Sequence, residues 1–580
     1  MKNLLLLLFA ATSFLAPAQL PTFEYAFSFG GDSRGEKILH SPNGNYLVVG
    51  EYNGTLDLDP SASEFSKTSI GSQDIFISAH AANGDFLWGD SYGSLGYDDL
   101  IDARIANDGS IYIVAVFEGF IQWGGGTYSS NGSLDIAIAK LSANGEVEWV
   151  KIIGGDDTDF VSSFEITDEG NLLLWGQFLS TVDFDLSEQG TFNLSSDGEG
   201  FGQGDLFLAS YSADGDFQFA KSTSGDGFIE SMEIVKMPDN KFLLSAGFNE
   251  SIDIDLNSSS EELLTTDNSF DVFLAQIDEQ GNLLWSGQLE GSSEFENDGG
   301  RCILHSISVS NAGEVYISGA FDHTVDFDPS EGVFEYTEEE PGTDFFPGDG
   351  FLMKLGESLD FEWMKYINGY MQGSTTVVEN NGNILMSGTF HGIDVDINTD
   401  ENEEQLVSTG DFIYADFQSL LISLDPEGNF LAGETIGAEN LRTGIHDISI
   451  APDGQTVMTG SFDLTVDFDF GDGTFELSAE DDLKDAFVLS VDGDPLVLST
   501  HSAKDGSKGF VYPNPAIGFF KLQLDNHSLK EVRLTDLNGR TIKYWQQARG
   551  EYRIEDLPSG IYLIHWQGSD QFGSQVLMKK

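Results

Sequence analysis

Six Asp-x-Asp pairs recur along this chain: Asp57/Asp59, Asp183/Asp185, Asp253/Asp255, Asp326/Asp328, Asp394/Asp396 and Asp467/Asp469. Paired carboxylates are ligands for a hard divalent cation, and calcium, which prefers carboxylate and carbonyl oxygens, is the ion they suit. In a strand, residues i and i+2 face the same side. Each pair therefore projects two carboxylates together, while the Leu, Phe, Ile or Val between them faces inward. A second reading makes the pairs a solvated face whose charge prevents edge pairing. No EF-hand loop or bidentate terminal Glu follows any of them, so the pairs carry no recognised calcium-loop signature.

Other constellations that do chemistry are thin. The nine His residues form no HExxH motif, and no Gly-x-Ser-x-Gly elbow is present. His305, His446, His323 and His391 each lack a partner at fixed spacing and read as structural. The 66 Gly residues fall at turns and strand ends and build no phosphate-binding loop. The single cysteine, Cys302, excludes a disulfide framework and a Cys-rich zinc site.

The elements that position the acidic pairs are read from an internal repeat. Asp74–Trp88, Asp135–Gly155 and Asp271–Trp285 are variants of one segment, two alternating strands joined through an Asn-Gly-type turn. A similar hairpin precedes each, with its turn residue at Gly44, Gly109, Gly170, Asn240, Gly313, Gly382 and Gly454, steps of 65, 61, 70, 73, 69 and 72 residues. Four antiparallel strands repeated seven times predict an all-β, seven-bladed β-propeller over residues 19–494. Fourth strands of the Trp-x5-Gly kind begin near Trp88, Trp149, Phe219, Trp285, Trp363 and Ala432. The seventh lies at the N-terminus, in Phe23–Gly31, with Tyr25 at the Trp position. The N-terminal strand is thus expected to close the last blade by pairing with Ala486–Val491, which removes two open edges; a strand within Pro495–Thr500 is the rival. The aromatic stripe, at one residue per repeat, is expected to pack between blades.

Lys2, an apolar run from Leu4 and the Ala16-Pro17-Ala18 box read as a signal peptide over residues 1–18, cleaved before Gln19. No other apolar run approaches the length of a membrane span. The formal net charge is −71. That excludes nucleic acid and anionic lipid surfaces as partners. Residues 510–580 hold 9 Lys+Arg and 7 Asp+Glu, which leaves 17 and 90 to the first 509. So sharp a change marks a module boundary. Residues 495–509 read as a linker, and 510–580 as a small C-terminal β-sandwich.

That last module carries four motifs in order: Val511-Tyr512-Pro513-Asn514-Pro515, Leu534-Thr535-Asp536-Leu537-Asn538-Gly539-Arg540, Leu557-Pro558-Ser559-Gly560-Ile561-Tyr562-Leu563 and the Lys579-Lys580 end. It resembles the type A C-terminal sorting domain of the type IX secretion system of Bacteroidetes. The resemblance implies Sec export, recognition by the type IX machinery, passage across the outer membrane and removal of the domain, the cargo being anchored to surface lipopolysaccharide or released. The acidic body is similar to repeat regions of Bacteroidetes surface proteins with segments such as Thr324-Val325-Asp326-Phe327-Asp328-Pro329, a likeness that carries no activity. Two functions are expected: a non-enzymatic binding or adhesion protein for a glycan or protein ligand, or a secreted polysaccharide hydrolase or lyase with its site at the propeller channel. The second would be favoured if the irregular insertions Thr191–Gly204 or Glu331–Gly350 brought His or Arg with Asp/Glu to the channel mouth.

Overall fold

The computed structural model describes residues 22–492 except 62, 188–189, 197, 199–201, 258–261, 267–268, 293–299, 339–347, 380, 399–404, 408–417, 437–442, 470–472 and 480–482, and then 510–512, 519–523, 529–535, 541–546, 552–554, 557–558, 560–568 and 572–579. The signal peptide, the linker and the Pro495–Thr500 rival strand lie outside the described residues. The chain divides into two compact units, Met1–Gly493 and Asp494–Lys580.

The first unit consists of antiparallel four-stranded sheets in chain order. Sheet 1 is Asp32–His40, Tyr46–Asn53, Asp74–His80 and Phe86–Tyr92. Sheet 2 is Asp98–Ile105, Ile111–Phe117, Asp135–Leu141 and Val147–Ile153. Sheet 3 is Phe160–Ile166, Leu172–Phe178, Asp205–Tyr211 and Phe217–Ser222. Sheet 4 is Ile229–Met237, Lys241–Phe248, Asp271–Asp278 and Leu283–Ser292. Sheet 5 is Arg301–Val309, Val315–Asp322, Asp349–Leu355 and the start of the long strand Phe361–Val378. The rest of that strand begins sheet 6, which continues with Ile384–Asn398, Gln418–Leu424 and Phe430–Ile436. Sheet 7 is Thr443–Ile450, Thr456–Phe462, Asp485–Asp492 and the N-terminal strand Thr22–Ser28.

The N-terminal strand pairs antiparallel with Asp485–Asp492, Phe23 opposite Val491 and Ser28 opposite Phe487. The Phe29 N–H extends the ladder to the Ala486 carbonyl at 3.1 Å. The arrangement is a β-propeller. Each first strand touches the first strand of the next sheet, and that of sheet 7 touches that of sheet 1. The apolar cores lie between neighbouring sheets: one joins Val114, Ile136 and Ile138 of sheet 2 to Leu172, Leu174 and Phe207 of sheet 3. Another joins Val457, Ala486 and Val488 of sheet 7 to Tyr46, Val48 and Phe76 of sheet 1. Middle strands are covered on both faces, so they read as unbroken apolar runs such as Ile111–Phe117, buried along its whole length.

The sheet count departs from expectation. The described residues hold eight four-stranded sheets rather than seven, because the second unit contributes one of its own: Thr541–Gln546, Leu529–Thr535, Gly560–Gly568 and Phe572–Lys579, in that spatial order. A three-stranded sheet of Phe510–Tyr512, Phe519–Gln523 and Tyr552–Arg553 accompanies it. Phe520 and Tyr552 share one core with Val532, Leu534, Ile564 and Leu577.

The Asx-Gly hairpins are type I turns closed by a left-handed glycine. The Gly44 N–H reaches the Ser41 carbonyl at 3.0 Å, the Ser41 N–H reaches the Asn45 carbonyl at 2.7 Å, and Gly44 has φ +84°. Lacking a Cβ, glycine takes that conformation without steric cost. Where glycine is absent, Asp239 and Asn240 take φ 61° and 54° in one hairpin and Leu359 takes 64° in another.

Candidate functional site

The Asp pairs sit in small hairpins between the second and third strands of the sheets, and the first carboxylate of each pair with described side chains has the same task. Asp57 Oδ1 accepts the N–H of Asp59 at 3.1 Å and of Phe65 at 2.8 Å. Asp183 does so from Asp185 and Phe192 at 3.1 and 2.8 Å. Asp253 accepts from Asp255 and Glu262 at 3.1 and 2.9 Å. Asp326 accepts from Asp328 and Phe334 at 3.0 and 2.7 Å, and Asp467 from Asp469 and Phe475 at 3.1 and 2.8 Å. The second Asp repeats the pattern two residues on: Ser61, Ser187, Asn257 and Ser330 each donate an N–H at 3.0 Å to Asp59, Asp185, Asp255 and Asp328. These are successive Asx-turns, in which a short carboxylate replaces the partner that backbone N–H groups in an irregular loop lack. The residue between the pair is buried in each, Leu58, Phe184, Ile254, Phe327 and Phe468. For Asp394 and Asp396 the backbone pairs with Val407 and Gln405, and the side chains lie outside the described residues.

Sheet 2 shows why the acids are there. It has Gln122 and Gly124 in place of the two Asp residues. Phe120–Trp123 returns directly into Gly126–Ser129 through Gly124 and Gly125, both at positive φ. A two-residue glycine turn leaves no long loop to cap. The hairpins in turn clasp the incoming chain. Ser224–Asp226, leading from sheet 3 to sheet 4, pairs with Ser251–Asp253, and Glu290–Ser292 pairs with Thr324–Asp326. The glycine of the Trp-x5-Gly pattern permits that approach: a Cβ on Gly155 would lie 2.6 Å from the Thr181 carbonyl oxygen. Among the described residues no three His, Cys, Asp or Glu side chains are grouped as a metal site.

The aromatic stripe packs between sheets. Trp149 donates its indole N–H to the Ala213 carbonyl of the next sheet at 3.3 Å, and the Tyr25 hydroxyl reaches Ala82 in the equivalent place at 2.9 Å.

A different group of polar side chains converges on the ring of first strands. Lys37 of sheet 1 lies 3.6 Å from Asp102 of sheet 2. Arg104 also pairs with Asp102, and its Nε is 3.7 Å from Glu165 of sheet 3. Glu233 of sheet 4 accepts the Ile307 N–H at 3.0 Å, and Asp447 of sheet 7 accepts the Ile38 N–H at 2.8 Å. Burial, the largest influence, pushes the Glu233 carboxyl up to about 8 against the pull of Lys37 and Arg104. Burial raises Asp447 and Glu165 as well. Every first strand carries a register shift, for instance between Gly35 and Lys37 and between Ile445 and Asp447. Such bulges turn consecutive side chains toward the ring. Nearby, between sheets 1 and 2, Glu51 accepts the Leu100 N–H at 2.8 Å and bonds Asp99, and burial together with that second carboxylate raises it to about 9. Chemically, this ring offers a proton-holding carboxyl beside two fixed cations.

Sequence reasoning did not find this cluster, because its members share no motif and meet only when five distant strands converge. It also missed the buried Asp that opens many third strands. Asp74 and Asp135 each cap the preceding loop, taking N–H groups of Ile70 at 2.8 Å and Asn131 at 2.7 Å. The signal was present, since both begin the repeated segment. Of the singled-out histidines, His446 lies 3.3 Å from Glu36, His323 lies 3.2 Å from Asp322, and His305 is held down to about 4 by burial. The His391 side chain lies outside the described residues. The described parts of the two insertions supply the outer hairpin strands Asn193–Ser195 and Glu335–Thr337, and neither insertion contains His or Arg.

In the second unit, Tyr512 pairs with Lys521, Gly560 opens a strand opposite Lys579, and buried Tyr562 donates its hydroxyl to the Pro558 carbonyl at 3.0 Å. Pro513, Asn514, Pro515, Asp536, Gly539 and Arg540 lie outside the described residues. Residues 510–580 match the family described as the secretion system C-terminal sorting domain. No curated protein matches the chain. Solved structures similar to it include the Neurospora crassa Pan2 WD40 domain, 6% identical over 80% of this chain and 90% of that one with a TM-score of 0.36. Polysaccharide lyase Uly1 is 10% identical over 83% and 94%, TM-score 0.35. PorZ, a surface component of the type IX secretion system of Porphyromonas gingivalis, is 12% identical over 96% and 100%, TM-score 0.16. The first unit is a β-propeller, residues 510–580 match a secretion system C-terminal sorting domain, and no helix among the described residues is long and apolar enough to cross a membrane.

Proposed function

We propose that the chain leaves the cytoplasm on its N-terminal signal and crosses the outer membrane by its C-terminal domain. It then presents a closed ring of blades that binds an extracellular glycan or protein without transforming it. The two sheets of the second unit form the halves of a small sandwich, a compact address distinct in charge from its cargo. One observation carries the binding reading. In each copy whose side chains are described, the repeated carboxylates are occupied by backbone N–H groups, so recognition falls to the unrepeated side chains of the ring, Lys37, Asp102, Arg104, Glu165, Glu233 and Asp447. Mixed cations and partly buried carboxylates suit hydroxyl-rich or zwitterionic ligands.

The test is a titration of the purified body against polysaccharides and surface proteins. Saturable binding weakened about tenfold or more by Lys37→Ala, with no product formed, is the expected result. The runner-up, a hydrolase or lyase, is favoured by the raised Glu233 carboxyl, which holds a proton at neutral pH as a general acid must. Turnover that disappears in Glu233→Gln would establish that reading instead. Calcium as a bridging ion at the Asp pairs is tested in the same titration by chelation, which would abolish binding if calcium carried it.

A further inference from the structure

The Asp253/Asp255 hairpin differs from the other described ones at the position two residues beyond its second Asp. Where sheets 1, 3 and 5 have Ser61, Ser187 and Ser330, sheet 4 has Asn257. The carboxamide oxygen of Asn257 accepts a hydrogen bond from Lys221 Nζ at 3.0 Å. Lys221 lies near the end of the fourth strand of sheet 3, so the contact spans two sheets. Asp255 Oδ1 holds the other end of the carboxamide, accepting from Asn257 Nδ2 at 3.1 Å and from its backbone N–H at 3.0 Å. The Gly281 carbonyl at 2.9 Å and the Phe219 ring at 5.6 Å fix the lysine from the remaining sides.

We propose that Lys221 and Asn257 join in an intramolecular isopeptide bond that covalently staples sheet 3 to sheet 4. The Lys221 amine attacks Asn257 Cγ, a new Nζ–Cγ bond forms, and the Cγ–Nδ2 bond breaks. The proton lost by Nζ passes through the Asp255 carboxylate to Nδ2, which leaves as ammonia. Atoms and electrons balance with no oxidant or co-reactant. The 3.0 Å bond from Lys221 Nζ to Asn257 Oδ1 sets the amine beside the carboxamide, and holding both groups in place within the fold replaces a bimolecular step by a unimolecular one. Burial, the largest influence on Lys221, lowers its pKa and favours the neutral amine that the attack requires, against the opposing charges of Asp278 and Asp255. The advantage fits the chain: one cysteine allows no internal disulfide.

The repeat supplies an internal control. Lys151 approaches Gly215 at the junction of sheets 2 and 3 as Lys221 approaches Gly281. There the residue matching Asn257 is Ser187, which has no carboxamide to attack.

The experiment is peptide mapping by mass spectrometry of the folded full chain after digestion. A branched peptide joining the Lys221 segment to the Asn257 segment, lighter by about 17 Da than the sum of the two for the ammonia lost, is the expected result, with Lys151 recovered in a linear peptide. Intact mass alone does not serve, since cyclisation of an N-terminal Gln19 also releases ammonia. Lys221→Arg should abolish the branched peptide. Asp255→Ala should abolish or slow its appearance in protein that retains a cooperative thermal transition. Recovery of Lys221 and Asn257 in linear peptides from folded protein overturns the proposal, as does recovery of Asp at position 257, which would mean that water and not the lysine reached the carboxamide.

Discussion

Asp326 illustrates how much of this protein's acidity is engaged within the fold. Its Oδ1 receives two N–H groups of a loop that has no strand partner at those positions. A carboxylate accepting backbone donors in a turn contributes about 1 kcal/mol. Asp326→Ala should therefore lower the unfolding free energy by about that amount in urea titrations. Asp326→Asn should be close to neutral, because an amide oxygen accepts the same two bonds. Both results should be unchanged by calcium. A loss in Asn as large as in Ala, or one appearing only with calcium present, would assign the pair to metal binding.

At the scale of elements, the hairpins, the connections and the glycines between them form one device. Gly155 shows the constraint: an added Cβ would stand 2.6 Å from the Thr181 oxygen, which is backbone and cannot swing away. Gly155→Ala should cost about 1–3 kcal/mol, measured as a lower urea midpoint, whereas alanine at an exposed turn position elsewhere in the connection should not. Most of these elements were legible in the sequence. Alternation and Asx-Gly turns mark the strands, a 61–73-residue period marks the sheets, and Tyr25 at a tryptophan position marks the strand that crosses from the chain's beginning to its end. Local patterns encode such features because each rests on residues a few positions apart. The loop-capping role of the Asp pairs was not legible, since the N–H groups they accept belong to a residue eight or nine positions on, such as Phe65 or Phe192. The Lys37–Asp102–Arg104–Glu165 cluster was not legible either, because it depends on which first strands become neighbours. The eighth four-stranded sheet was not legible for another reason: alternation marks the strands of the C-terminal segment but not how they divide between sheets.

At the scale of the molecule, the buried carboxyls give stability an unusual dependence on pH. Glu233 and Glu51 are raised to about 8 and about 9, so between the ordinary carboxylate range and those values the folded chain binds more protons than the unfolded one. Stability must then fall as pH rises through that window. Below about pH 6.5 the sign is opposed by His40, His80 and His305, each depressed to about 4 by burial, which the unfolded chain protonates first. The thermal midpoint should decline between pH 7 and pH 9, and a flat or rising profile there would contradict the buried placement of these groups.

The integrity of the whole first unit depends on a ring closed by the chain's own first strand. Hydrogen exchange on the full chain and on a variant lacking residues 22–28 measures that closure directly. Deletion should strip protection from the Val488 and Ser490 amides of sheet 7 and lower the unfolding midpoint of the entire first unit. Unchanged protection and an unchanged midpoint would mean that the strand closes nothing.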